Sequence, residues 1–176
     1  MIRWKTEYEN AFAQGSTYDV EAGVRECHVM VRAYPCGSFS QQLCAVRAAF
    51  AEVCAGKCAG LTPVFVRYFL SDVANQETGL GTSLDEFHGC AVSVIEQPPL
   101  DGTKVTIWAI LQSDMKMSRT AENMWVADHN GYKHMWVAGA SLDGGNSYSQ
   151  TREMLDAYDA SLQEQGCSMV LCAGCG

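Results

Sequence analysis

The sequence predicts an α+β protein in which a mixed sheet is packed by helices on one face. Three observations carry this. Four short runs are β-branched or alternate apolar with polar residues, at 24–34, 63–70, 91–96 and 104–111. One amphipathic helix, at 38–55, lies between the first two of them. The last two strands follow each other directly, which departs from a strict β-α alternation.

In VRECHVMVRAY, Val29 and Val31 point to one side, and His28, Met30 and Arg32 to the other. Pro35-Cys36-Gly37 ends the strand. Ser38 is an N-cap with Gln41 three residues on, a capping box. Behind it Leu43, Val46, Ala49, Phe50 and Val53 form a stripe, and Gly56 is the expected stop. PVFVRYFL, 63–70, is a strand. Asp72 and Asn75 belong to a short helix that they cap, and ETGLGTSLDEF, 77–87, reads as a loop. Residues 91–96 and 104–111 are expected to form a hairpin around Pro98 and Pro99, which do not fit inside a central ladder. Residues 1–23, with Trp4, Tyr8, Phe12 and Tyr18, are expected to be an extension, helical or irregular, packed on the main body.

The chain then partly repeats itself. His134-Met135-Trp136-Val137 echoes His28-Val29-Met30-Val31, Ser147-Tyr148-Ser149-Gln150 echoes Ser38-Phe39-Ser40-Gln41, and Cys167 falls where Cys58 fell. The organisation read from this is an extension (1–23), a complete domain (24–111), a linker (112–130) and a partial second unit (131–176) made of a strand and a helix. A strand and a helix cannot close a core. The second unit is expected to pack on the first domain or on another subunit, or else to be poorly ordered.

The bulk properties exclude some classes. A chain of 176 residues with 48% hydrophobic residues is globular in composition. Twelve basic against 20 acidic residues give a net charge of −8 with no basic run, which argues against nucleic acid as a partner. No apolar stretch reaches the ~18 residues of a membrane span, and the start lacks an apolar leader, so the cytoplasm is the expected compartment. Nine cysteines, an odd number without an export signal, argue against a disulfide framework.

FVRYFLSDVANQ and AVSVIEQPPLDGTKVTIWAIL resemble the corresponding segments of the Rid family, also called YjgF or L-PSP type. GYKHMWVAGASLDGGNSYSQTREMLDAYDASLQEQGCS resembles the beginning of a second Rid-like unit, as in a truncated two-domain member. The resemblance implies a chorismate-mutase-like fold and a homotrimer in which neighbouring sheets join as a barrel with clefts between subunits. It also implies hydrolysis of reactive imines or enamines, with an arginine before the penultimate strand to hold the substrate carboxylate and a glutamate in the last strand to activate water. This sequence has Gly89-Cys90-Ala91-Val92 at the first place and Thr106 at the second. The expected function is therefore small-molecule binding in an intersubunit cleft without the usual Arg/Glu pair. An imine or enamine deaminase using substituted residues is the alternative, and an endoribonuclease, a label the family has carried, comes third.

The candidate ligand-binding residues are Arg32 and Arg67, either able to replace the lost anion clamp, with Phe87 as a pocket-lining ring and Cys90 and Thr106 at or beside the family's functional positions. Each also has a plain structural role open to it: a snorkelling arginine, a packed aromatic ring or a buried thiol. Tyr18 is an ordinary packing residue that could line a pocket. Cys90 with His88, Cys54 with Cys58, and the terminal Cys172-Ala-Gly-Cys175 are weaker thiol candidates. His28 and His134 occupy matching repeat positions without ligand spacing around them. No metal and no cofactor are expected.

Overall fold

The structure, a computed structural model, describes residues 1–19, 23–84, 89–121, 124–129, 131–138 and 145–169. Phe87, His88, Cys172 and Cys175 lie outside the described residues.

The first nineteen residues are not helical. They form two antiparallel strands, β1 (Ile2–Glu7) and β2 (Ala11–Asp19), joined by a tight turn in which Tyr8 N donates to Ala11 O at 2.8 Å. Trp4, Tyr8 and Phe12 are spaced by four, which suits a helix turn but is also an even number and therefore suits a strand. β3 (Arg25–Ala33) pairs antiparallel with β2, and α1 (Phe39–Ala55) follows. The expected capping box is present: Gln41 N donates to Ser38 Oγ at 3.3 Å, and Ser38 N donates to Gln41 Oε1 at 2.8 Å.

β4 (Thr62–Leu70), α2 (Val73–Leu84), β5 (Ala91–Glu96) and β6 (Val105–Gln112) complete a six-stranded mixed sheet in the order β1-β2-β3-β6-β4-β5. β5 and β6 are consecutive but not paired. β4 lies between them, parallel to β5 and antiparallel to β6, so the expected hairpin is a crossover around β4. α2 is also longer than expected and includes most of the stretch read as a loop. Gly79, a loop signal in the sequence, is a packing residue in the helix: a Cβ there would sit 3.3 Å from the Phe39 ring of α1. Asp72 caps α2 by accepting from Asn75 N at 3.2 Å, and Glu96 accepts from Val73 N at 2.9 Å.

The main core lies between the helices and one face of this sheet. It contains Val29, Val31, Tyr68, Leu70, Ile107 and Leu111 from the strands, Val46, Phe50 and Val53 from α1, and Leu80 from α2. Gln42 is a polar pin in this layer. Its amide donates to Cys36 O at 3.1 Å and accepts from Lys104 N at 2.7 Å, tying α1 to the entrance of β6.

After β6 the chain forms a second antiparallel sheet, β7 (Ser118–Ala121), β8 (Met124–His129) and β9 (Tyr132–Val137), and then α3 (Ser147–Glu164). The stretch 112–130, read as a linker, thus contains β7 and β8. The internal repeat is more extensive in structure than in sequence, because β7-β8-β9-α3 matches β1-β2-β3-α1 element for element. The two helices end alike: Cys58 N donates to Val53 O at 2.8 Å, and Cys167 N donates to Leu162 O at 2.9 Å. They begin one residue apart, since α3 is capped by Asn146.

The second unit packs on the first domain. Met115, Ala127, Met117 and Trp136 pack with Val64 of β4 and Ile110 of β6. α3 buries Leu162 against Met124 and Val126, but Tyr148, Met154 and Leu155 are exposed. Among the described residues no helix is long and apolar enough to cross a membrane.

Candidate functional site

The helices cover one face of the six-stranded sheet. Strand alternation sends the other residues to the opposite face, where register aligns them in rows across the strands. One row reads Lys5, Gln14, Met30, Trp108, Arg67, Ser93; the row on one side contains Ser16, His28, Ile110 and Phe65, and the row on the other contains Phe12, Arg32, Thr106 and Phe69. Five strand spacings make the face about 24 Å wide. The second sheet reaches it at Ile110.

Arg67 is at the centre. Its guanidinium lies 5.2 Å from the Phe65 ring centroid and 5.9 Å from that of Trp108, and its Nε donates to Ser93 Oγ at 3.3 Å. Among the described residues it has no carboxylate partner. Arg32 is engaged differently. It lies 5.8 Å from the Phe12 ring centroid, contacts Met30 Sδ through Nε at 3.4 Å and Nη2 at 3.2 Å, and places Nη1 3.7 Å from Asp101 Oδ2. Asp101 is fixed by accepting from the Thr103 hydroxyl at 2.7 Å.

Thr106 stands opposite Arg32 in register and is 4% exposed, and its hydroxyl has no hydrogen-bond partner among the described residues. An unsatisfied buried hydroxyl costs about 1–3 kcal/mol, so the position favours whatever polar group reaches it. His28 Nε2 lies 2.8 Å from Glu26 Oε1, with Tyr18 and Trp108 rings at 5.9 and 6.1 Å. Gln112 Nε2 donates to the other oxygen of Glu26. A depression of about 590 Å³ lies between β1 and Trp108, lined by Arg3, Lys5, Gln14, His28 and Met30 among others. The face is rich in cations on a chain whose net charge is −8.

The sheet therefore brings Arg32, Arg67 and Thr106 onto one face. Cys90 is elsewhere: it is 4% exposed in the core under the helices, and burial pushes its thiol up to about 12. Sequence reasoning missed Trp108, Ser93, Asp101 and the contributions of β1 and β2. Trp108 was legible by parity with Thr106, whereas Ser93 required the register of β5 on β4. The β1 and β2 residues were not, because those strands were unrecognised.

The thiols concentrate on the opposite face. Cys58 Sγ donates to Cys27 Sγ at 3.4 Å, with both residues buried in the core. That hydrogen bond holds the Cys27 thiol below its ordinary range despite burial, and it raises Cys58, whose proton is shared. Burial pushes Cys54 up to about 11. The seven described cysteines are free, and no group of three or more His, Cys, Asp or Glu able to hold a metal is found among the described residues.

No protein-family model, no curated protein and no solved structure matches the chain.

Proposed function

We propose that this is a Rid-like protein that binds a small carboxylate-bearing molecule on the uncovered sheet face, in a cleft completed by neighbouring copies of a homotrimer. The observation that carries this reading is Arg67, a guanidinium set against two adjoining aromatic rings with no carboxylate partner among the described residues. Such a fork is ready for bidentate contact with an incoming carboxylate. The strand order β3-β6-β4-β5, with α1 and α2 on one side, supports a chorismate-mutase-like arrangement, and the opposite face, where Arg67 and Trp108 are half-buried, suits the sheet-to-sheet packing of that fold. Thr106 in place of the family glutamate, and no arginine before β5, argue for binding rather than the usual chemistry. The test is calorimetric titration with small carboxylates such as pyruvate. Saturable binding that Arg67→Met removes supports the reading; absence of binding across a panel of small carboxylates ends it.

One observation favours a second reading, an imine or enamine hydrolase with substituted residues. His28 and Glu26 form a hydrogen-bonded pair two strands from Arg67 on the same face, within reach of a water beside a bound substrate. Ammonia release from 2-aminoacrylate above the uncatalysed rate, lost in His28→Ala, would establish it. Equal rates with and without protein would exclude it.

A further inference from the structure

We propose that Cys27 and Cys58 are a thiol oxidation site in which Cys27 is the peroxide-reactive thiol and Cys58 resolves it, so that a disulfide joins β3 to the end of α1. The two sulfurs are 3.4 Å apart although 31 positions separate the residues. Cys27 is also met by the Thr17 hydroxyl, 3.4 Å from its sulfur, and Thr17 in turn accepts from Trp4 Nε1 at 3.3 Å. The Cys58 thiol donates to the Cys27 sulfur, and a donor there favours the thiolate, the reactive form.

The chemistry balances with hydrogen peroxide as oxidant. The Cys27 thiolate attacks one peroxide oxygen, the O–O bond breaks, and the departing hydroxide takes a proton to become water. Cys27 is then a sulfenic acid. The Cys58 sulfur attacks the Cys27 sulfur, the S–S bond forms, the S–O bond breaks, and the leaving hydroxide combines with the Cys58 proton as a second water. The two thiols lose two electrons, and the peroxide gains them. Sulfur approach from 3.4 Å to the ~2.05 Å of a disulfide is a small movement at the turn that follows α1.

Access runs through the edge of the sheet. β1 is an end strand, paired only with β2, and it carries Trp4 over Thr17 and Cys27. Opening of an end strand is a low-energy motion compared with global unfolding. It uncovers Cys27 and moves Arg3 and Lys5 at the edge of the opposite face, while Arg67, Trp108 and Thr106 on the inner strands stay in place. The site is thus separate from the proposed ligand face, and its test is independent of that function.

The experiment treats the full chain with hydrogen peroxide, blocks remaining thiols under denaturing conditions, and digests with trypsin without reduction. Cleavage after Arg25, Arg32, Lys57 and Arg67 puts Cys27, Cys54 and Cys58 on three different peptides. The expected product is peptide 26–32 linked to peptide 58–67, reversed by dithiothreitol. In Cys58→Ser the linked product disappears and dimedone labels Cys27. In Trp4→Ala the wild-type linkage forms faster. Fully alkylated Cys27 after oxidation, or Cys27 linked to Cys54 instead, overturns the proposal, and because both are read on the wild-type chain the result does not depend on any variant folding.

Discussion

Arg67 and Trp108 are cross-strand partners on β4 and β6, with the guanidinium 5.9 Å from the centre of the indole. The pairing stiffens an arginine that has no carboxylate partner among the described residues and keeps its fork on the uncovered sheet face. Cation–π contacts at partly exposed sites contribute only about 0.5–1 kcal/mol. Arg67→Met is therefore expected to change stability by less than about 1 kcal/mol in urea titration while removing carboxylate binding. A large loss of stability would mean that Arg67 is a structural residue first.

Gln42 gives a prediction about the frame. Its side chain satisfies Cys36 O and Lys104 N at once from a buried position. Gln42→Ala leaves both backbone groups unpaired and opens a gap, so a loss of about 1–3 kcal/mol is expected in chemical denaturation. Substitution of the exposed neighbour Gln41 removes one capping bond and costs less, about 1 kcal/mol.

Trp4 lies flat against Gly15, where a Cβ would fall 2.3 Å from Trp4 Cζ2. Gly15→Val is expected to displace the indole, lowering the melting temperature and shifting Trp fluorescence toward that of exposed indole. The clash is with a rigid ring, so overpacking of this kind costs about 1–3 kcal/mol. An unchanged spectrum would contradict the packing of β1 described above.

Half-buried Cys54 and buried Cys90 set a pH dependence. Cys54 and Cys90 are raised to about 11 and about 12 by burial, from an ordinary value of 9.0. Above pH 9 the unfolded chain releases these protons while the folded chain retains them, so the unfolded state binds fewer protons and stability falls as pH rises. Each group contributes a slope of at most about 1.4 kcal/mol per pH unit, between pH 9 and its folded value. Urea midpoints measured from pH 8 to 10.5 should decline, and the Cys90→Ala variant should decline less steeply.

Much of the frame was legible in the sequence. Ser38 and Gln41 announced α1 because a capping box is local chemistry, and the alternation in 24–34 and the β-branched and aromatic run at 63–70 placed β3 and β4. What failed was non-local. Residues 91–111 read as a hairpin because adjacent strands usually pair, but insertion of β4 between β5 and β6 is a tertiary event with no local signal. Gly79 and Gly81 suggested a loop until Phe39, forty residues earlier, accounted for one of them. Arg32, Arg67 and Thr106 were found by residue type, whereas their shared face required the strand order. Cys27 and Cys58 were both visible, but nothing local places a β3 thiol over the turn that follows α1.

The proposed function requires neighbouring copies to complete the face of the six-stranded sheet opposite α1 and α2. Multi-angle light scattering tests it most directly. A single species with three times the 19.2 kDa chain mass is expected, falling to smaller species when Trp108→Glu places a charge on that face. A wild-type mass of one chain at all concentrations would contradict the account.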